Sequence, residues 1–286
     1  MNVTNVPPDT EVRSVSLPRT PPRLPELRVQ PAPHTVARLV SRGGGGVARD
    51  RMRLWSHYGR RYRTAMAHMA NALAQDDPAP GGGRLDDRVA ARADLAALHL
   101  YLAEEWAWVE PALLDGDMGG HLPLARCAGA ALRRLPPYRG AAIVRTDVPD
   151  NVLTWFRGNQ VVRDQGFWSA SVSTAALGSG GPAFLVWSLT GRRTGAVDPY
   201  TPDRLVFLPG TRFKVLEVRG GRRPVVVLRE MFPQESGAAG AADPHGGWLD
   251  RTTLAELGQS TDVPTTLVPT EFMGPRARPP GLVLGR

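Results

Sequence analysis

Polar residues stand at the ends of three short apolar runs in the middle of the sequence. Arg145 closes the run AAIVR, Ser169 and Ser171 lie in FWSAS, and the turn 198–204 precedes the run LVFL. A guanidinium can bind oxyanion oxygens in a bidentate manner, and serine hydroxyls both donate and accept hydrogen bonds. The turn contains two aspartates, and a carboxylate stabilises positive charge that develops nearby. These residue types can bind and polarise a ligand, provided that the fold brings them together.

Each of these residues also has an ordinary structural explanation. An arginine on a strand is often an ion-paired surface residue, a strand serine often faces solvent, and an aspartate is common in turns. What distinguishes the set is its order along the chain and the strand-like run FKVLEV that comes after it. The ordered set is therefore a stronger indication of a site than any member alone.

The elements that must position these residues are short strands. Between residues 135 and 230, apolar runs rich in Val, Ile, Phe and Trp are cut by Gly, Pro and Asp, which is typical of β-strands. Several runs are apolar almost throughout, so both faces of the sheet should be covered. The pattern predicts strands at 141–145, 160–162, 167–172, 184–189, 205–208, 213–219 and 225–230.

Helices are predicted before the strands, at about 50–75, 86–114 and 122–134, and Pro136 and Pro137 end the last of them. In the second helix, His99 stands without another metal-ligating residue at helical spacing, so we interpret it as a packing residue. In the first helix, apolar residues recur at three- and four-residue spacing, and we expect them to face the core. They are Met52, Trp55, Tyr58, Tyr62, Met66 and Met69.

Composition limits the classes of function. The 286 residues are 42% hydrophobic, which is enough for a substantial core. The net charge of +8 comes from scattered arginines, with Lys214 the only lysine, so we expect no nucleic-acid partner. Cys127 is the only cysteine, which excludes an internal disulfide and a cysteine-based zinc cluster, and its apolar surroundings predict a buried thiol. No run is long and apolar enough for a transmembrane helix, and no secretory signal peptide is evident.

The chain is expected to have four parts. Residues 1–49 are rich in Pro, Ser, Thr and Arg and are predicted to be a disordered leader, because they cannot bury enough apolar surface to offset their ordering entropy. Residues 50–134 form a helical lobe and 135–233 a β-rich core. Residues 234–286 are predicted to be mostly irregular, with one helix near 250–257.

The order of these motifs resembles the mono-ADP-ribosyltransferase superfamily, in its arginine–serine–glutamate branch. The resemblance covers about half the chain and is carried by LPPYRGAAIVRT, FRGNQVVRDQGFWSAS and PDRLVFLPGTRFKV. It implies an α+β fold, in which an N-terminal helical lobe packs on two small, mainly antiparallel sheets around an NAD cleft. It also implies NAD⁺ as the substrate, with no metal.

The resemblance assigns roles to particular residues. Arg145, followed by Thr146, would bind the cofactor phosphates. Ser169 and Ser171 would hold the ribose, and Trp168 would line the nicotinamide pocket or pack in the core. In the third motif, this sequence departs from the family, whose two glutamates fall on Pro202 and Arg204. The remaining acid between them is Asp203, which we take as the candidate catalytic carboxylate; Asp198 is the next nearest acid.

The implied function is transfer of ADP-ribose from NAD⁺ to a side chain of a host-cell protein by a bacterial toxin or effector. Such a protein would be secreted or translocated without a cleaved signal peptide and would act as a monomer, with no membrane partner. The alternative is a degenerate member of the family that keeps the fold and acts by binding a host protein. A third alternative is an arginine-rich nucleic-acid binder, whose affinity would depend steeply on salt.

Overall fold

The computed structural model describes residues 27–30, 40, 46–76, 85–146, 150–158, 161–173, 183–221, 224–235, 246–260 and 278–284. The helices in these ranges are α1 (Val47–Asp76), α2 (Leu85–Leu100), α3 (Trp106–Asp115), α4 (Leu122–Arg134), α5 (Asp150–Gly158) and α6 (Gly246–Ser260). A π-helical turn (Tyr101–Glu105) joins α2 to α3. The strands are β1 (Leu27–Val29), β2 (Gly140–Arg145), β3 (Val161–Arg163), β4 (Trp168–Ser171), β5 (Ala183–Ser188), β6 (Arg192–Arg193), β7 (Arg204–Phe207), β8 (Arg212–Arg219), β9 (Val225–Glu230) and β10 (Leu282–Leu284).

The seven predicted strands are confirmed, with ends that differ by at most one residue, and the predicted helix near 250–257 lies inside α6. Four elements, α5, β1, β6 and β10, were not predicted from the sequence. The three strands among them are two or three residues long, too short for an alternating pattern to stand out. Helix α5 is short as well, with nine residues.

Helices α1, α2 and α4 pack on one another and form the main apolar core of the helical lobe. The predicted apolar face of α1 is partly wrong, because Met52 and Trp55 are 66% and 51% exposed. The helix bends at Gly59, whose φ of 46° is left-handed. In the part before this bend, the face that meets the core passes through Leu54 and Tyr58 instead.

Eight strands form a mixed sheet in the order β3-β8-β9-β5-β2-β4-β7-β6, in which only β5 and β9 run parallel. The ladder between β2 and β4 is a single pair, Ile143–Ser171. By contrast, β2 and β5 pair along the whole of β2, and β4 and β7 pair along their full lengths. The sheet therefore has two sections joined at one residue pair. The predicted α+β fold, with a helical lobe and two small, mainly antiparallel sheets, is confirmed in this form.

The two faces of the sheet pack against different helices. We call one the core face; it carries Val144, Trp168 and Phe207, which pack with α5. We call the other the site face. At β2, β5 and β9 this face is covered by α6, through residues such as Ile143. At β7 it packs against the helical lobe through Val206. The junction of β2 and β4 lies on the site face between these two covered regions.

The segments near the two ends of the chain pair with each other. β1 and β10 form a two-stranded antiparallel sheet, and Leu282 enters the apolar core on the core face. The guanidinium of Arg278 is ion-paired with Asp164, which is fully buried. The Gln30 side chain donates to the same carboxylate at 3.1 Å. These described pieces are ordered parts of the fold, although they fall in the predicted disordered leader and irregular tail. Most of those two regions lies outside the described residues.

In the part of the chain that the structure describes, no helix combines the length and the apolar character needed to cross a bilayer.

Candidate active site

Arg145 and Ser169 lie on adjacent strands and on the same face of the sheet. Ile143 pairs with Ser171 in the antiparallel register of β2 and β4, and continuing that register by two residues sets Arg145 opposite Ser169. Side chains alternate between the faces of a sheet, so all four residues project from the site face. Among the described residues, the ladder between β2 and β4 consists of the single Ile143–Ser171 pair, so no ladder pair joins Arg145 to Ser169. Strand ends that are not joined by ladder hydrogen bonds are a suitable place for a ligand.

The hydroxyl of Ser169 is buried and unsatisfied. The residue is 7% exposed, and its Oγ has no hydrogen-bond partner among the described residues. Ser171 is buried as well, but its Oγ accepts a hydrogen bond from the backbone N–H of Ser173 at 3.1 Å. Buried hydroxyls in proteins are nearly always hydrogen-bonded, so an exception requires an explanation. A ligand group that hydrogen-bonds to Ser169 would supply it. Thr146 directly follows β2 and is half-buried beside this junction.

The structure places Trp168 in the core and not in a nicotinamide pocket, which corrects its assignment as a cofactor-binding residue. The residue is 1% exposed, and its ring packs against Phe207 and Phe213 with centroid distances of 5.3 and 4.9 Å. Its indole N–H donates to the carbonyl oxygen of Arg278 at 2.9 Å. Trp168 alternates with Ser169 along β4 and so projects from the core face. Of the two roles considered for it, the structure shows core packing.

Asp203, the candidate catalytic carboxylate, does not share the face of Arg145 and Ser169. Its side chain is 49% exposed and lies 3.7 Å from the guanidinium of Arg193. Arg193 pairs with Leu205, which packs on the core face. Asp203 precedes β7, and alternation puts its side chain on the same side as Leu205. The structure therefore places Asp203 beside Arg193 and not beside the two serines, and its catalytic role stays a prediction.

The residue that occupies this position on the site face is Arg204. It pairs with Ser171 across β4 and β7 and is fully buried. Burial lowers the pKa of its guanidinium, while the charge of Asp198 opposes that shift. The Nη1 of Arg204 lies 2.9 Å from Oδ2 of Asp198, and the hydroxyl of Thr201 donates to the same oxygen. The turn thus brings the carboxylate of Asp198 to the guanidinium next to Ser171.

A buried polar cluster connects the helical lobe to the sheet close to this site. Glu110 of α3 accepts hydrogen bonds from the hydroxyl of Tyr101 at 2.8 Å and from the backbone N–H of Phe167 at 3.1 Å. Its nearest cation is Arg278, at 3.5 Å. Desolvation raises the pKa of Glu110 to about 7, although Arg278 and the two hydrogen bonds act in the opposite direction. This carboxylate was not predicted from the sequence, because its partners are distant in the chain and no local pattern marks it.

Other residues singled out from the sequence have structural roles. Cys127 is a buried free thiol, as predicted, and burial raises its pKa to about 12. The Nδ1 of His99 lies 2.9 Å from the carbonyl oxygen of Val197, which agrees with a packing role. No group of three or more His, Cys, Asp or Glu side chains suited to a metal is found among the described residues. A cavity of about 630 Å³ lies away from the strand junction, between α1 and the residues around Gly120.

Two named proteins are similar in sequence. One is Tre1 of Pseudomonas putida strain GB-1, an NAD(+)–protein-arginine ADP-ribosyltransferase, which is 26% identical over 226 residues. That match covers 75% of this chain and 41% of Tre1. The other is Mav of Mycobacterium avium strain 104, a candidate NAD(+)–arginine ADP-ribosyltransferase, which is 30% identical over 129 residues. That match covers 43% of this chain and 16% of Mav, so the chain matches less than half the length of either relative.

Solved structures show the same fold. The type III effector XopAI of Xanthomonas axonopodis pv. citri superposes with a TM-score of 0.53 at 19% identity, over 69% of this chain and 95% of XopAI. Exoenzyme S of Pseudomonas aeruginosa, solved with human 14-3-3 protein beta and carba-NAD, superposes with a TM-score of 0.50 at 19% identity, over 70% of this chain and 97% of the exoenzyme chain. No family model matches the sequence. The chain is thus similar in sequence to two proteins named as ADP-ribosyltransferases, and it shares the fold of the two solved structures.

Proposed function

We propose that this chain binds NAD⁺ at the junction of β2 and β4 and transfers its ADP-ribose to an arginine side chain of a protein. The observation that supports this most directly is the unsatisfied hydroxyl of Ser169, buried on the site face opposite Arg145. The two relatives named as arginine ADP-ribosyltransferases support the reaction and the acceptor.

The residues at the junction suit the parts of a dinucleotide. The guanidinium of Arg145 would bind the pyrophosphate, since planar N–H pairs match phosphate oxygens in a bidentate manner. Ser169 and Ser171 would hydrogen-bond the nicotinamide ribose, and Thr146 would contact the phosphates beside Arg145. The bond to nicotinamide breaks through a transition state with positive charge on the ribose. A carboxylate on the same face would stabilise that charge.

One observation favours a second candidate, a protein that keeps the fold and acts by binding alone. Arg204, on which the resemblance places a glutamate of the family, pairs with Ser171, and Asp203 lies beside Arg193 instead. A cation at that position opposes the charge that develops on the ribose. In this second candidate, the chain would bind its partner protein without transferring ADP-ribose.

Calorimetry with NAD⁺ on the full chain tests the proposed binding. Arg145→Ala should weaken NAD⁺ binding by about 10- to 100-fold, because a hydrogen-bonded charge contributes about 1.5–3 kcal/mol. The matched control is Arg60→Ala, an exposed arginine on α1. Undetectable binding to the wild-type chain, or equal losses in both variants, would reject the proposal.

Release of nicotinamide separates the two candidates. An active transferase should release it from NAD⁺ and should label polyarginine, but not polylysine, with ADP-ribose. A chain that binds NAD⁺ and releases no nicotinamide in either assay would support the binding-only candidate.

Action on a host protein, and delivery into a host cell without a cleaved signal peptide, also belong to this proposal. XopAI, which has the same fold, is a type III effector. A translocation reporter fused to the full chain tests delivery, and retention of the fusion inside the producing cell would contradict it. The monomeric state remains a prediction, which light scattering of the purified chain can test.

A further inference from the structure

On β7, the position beside Ser171, where the resemblance places an acid, holds no carboxylate. Arg204 fills the position beside Ser171, and Asp203 points to the core face, where it is half-exposed next to Arg193. If the chain is a transferase, as proposed above, another acid must reach the site face. The turn before β7 brings Asp198 there.

Asp198 is held on the site face by two contacts to one of its oxygens. Oδ2 lies 2.9 Å from Nη1 of Arg204 and accepts the hydroxyl hydrogen of Thr201. Because both contacts use Oδ2, neither of them occupies Oδ1. The side chain is 13% exposed, so it is not completely enclosed by the described residues.

The turn that carries Asp198 is fixed by its own backbone. The N–H of Asp198 donates to the carbonyl of Thr194 at 2.8 Å, and the N–H of Thr201 donates to the carbonyl of Asp198 at 3.1 Å. Val197, next to Asp198, is 2% exposed and packs into the core of the helical lobe. The carboxylate is therefore held in place before a substrate arrives, which is the condition for efficient electrostatic stabilisation.

We propose that Asp198 is the carboxylate that stabilises the ribose charge, and that Arg204 is a positioning residue that holds Asp198 beside Ser171. The bond between C1′ of the nicotinamide ribose and the pyridinium nitrogen breaks, and its electron pair leaves with neutral nicotinamide. The resulting positive charge on C1′ and the ring oxygen faces Oδ1 of Asp198. A nitrogen of the acceptor guanidinium, or a water oxygen, bonds to C1′ and releases one proton to solvent.

The test compares Asp198→Asn with Asp203→Asn in the full chain, with NAD⁺ binding by calorimetry and nicotinamide release measured on the same samples. Asp198→Asn should lower turnover by about 100- to 1,000-fold, the usual effect of removing one transition-state contact. Its NAD⁺ affinity should stay within about threefold of the wild type, because the interaction forms chiefly in the transition state. Asp203→Asn should change neither quantity.

Variants of the surrounding residues test the positioning role. Thr201→Val, which keeps the side-chain shape but cannot donate to Asp198, should lower kcat with little change in KM. Arg204→Lys should retain more activity than Arg204→Ala, and thermal melts report whether either variant is folded. A structural role alone would lower the melting temperature without separating kcat from KM.

The outcomes distinguish the role of Asp198 from the proposed function. Wild-type protein that binds and cleaves NAD⁺, with Asp198→Asn equally active, would overturn the role of Asp198 and leave the transferase intact. Loss of activity in Asp203→Asn, with Asp198→Asn still active, would also overturn the role of Asp198 and leave the transferase intact. Wild-type protein that binds NAD⁺ without cleaving it would overturn the role of Asp198 and support the binding-only candidate. A failure to bind NAD⁺ would overturn both.

Discussion

Ser169→Ala should separate ligand binding from stability, because the two effects have opposite signs. The hydroxyl of Ser169 is buried without a partner among the described residues. Leaving a buried hydrogen-bonding group unsatisfied costs about 1–3 kcal/mol. Removing the hydroxyl recovers most of that cost and forfeits only the dispersion contacts of one oxygen atom, each about 0.1–0.2 kcal/mol. We expect the free energy of unfolding of the ligand-free variant to rise by about 1 kcal/mol.

The matched control is Ser188→Ala, which makes the same change at a satisfied hydroxyl. Ser188 is fully buried, donates to the carbonyl of Tyr138 at 3.1 Å and accepts from the N–H of Gly191 at 3.1 Å. Its removal leaves two backbone groups without that partner and should cost about 1–3 kcal/mol. The two variants should therefore differ by about 2–4 kcal/mol in urea unfolding.

The ligand assay completes the comparison. Ser169→Ala should weaken NAD⁺ binding by about 3- to 10-fold, the value of one neutral hydrogen bond of about 0.5–1.5 kcal/mol. NAD⁺ should then stabilise the variant less than it stabilises the wild type. If Ser169→Ala destabilises the ligand-free chain as much as Ser188→Ala does, the hydroxyl of Ser169 is already satisfied in solution and the expected gain in stability is refuted.

Three further substitutions test the buried charges. Since desolvation raises the pKa of Glu110 from 4.5 in the unfolded chain to about 7, the folded state holds this proton more tightly. The free energy of unfolding should therefore fall as the pH rises from 4.5 to about 7. In Glu110→Gln, urea unfolding measured across this pH range should no longer show that fall. The same pH dependence in the variant as in the wild type would contradict this expectation. Arg278→Ala should cost about 3–5 kcal/mol by leaving Asp164 buried without its cation; a thermal melt like the wild type's would contradict that. Asp250→Ala removes one of the two acids that are ion-paired with the buried Arg229. Amide hydrogen exchange in α6 should then become faster. An unchanged exchange rate would show that the Arg229–Asp250 ion pair does not stabilise the packing of α6.

Much of the fold is predictable from local patterns. The strands β2, β4 and β7 could be predicted because an apolar run and the Gly, Pro or Asp residues that bound it lie within a few positions of each other in the sequence. Such patterns could not supply the register between strands. That register sets Arg145 opposite Ser169, and it also decides that Arg204 and not Asp203 shares their face.

Contacts between residues far apart in the chain could not be predicted from local sequence patterns either. The cluster around Glu110 depends on Arg278, which is near the other end of the chain. The exposure of Met52 and Trp55 depends on the bend at Gly59, and a single glycine in a helical pattern does not reveal its conformation. Asp198 was named from the sequence only as a neighbouring acid, because its pairing with Arg204 arises from the way the turn closes on itself.

The pairing of β1 with β10 has a consequence for how this domain can be joined to others. The antiparallel ladder brings Leu27 beside Leu284, so the two ends of the described fold leave the same corner of the molecule. A polypeptide joined at either end of the described fold would start from that one corner. The domain could thus be inserted into a surface loop of another protein without stretching either connection across its own surface.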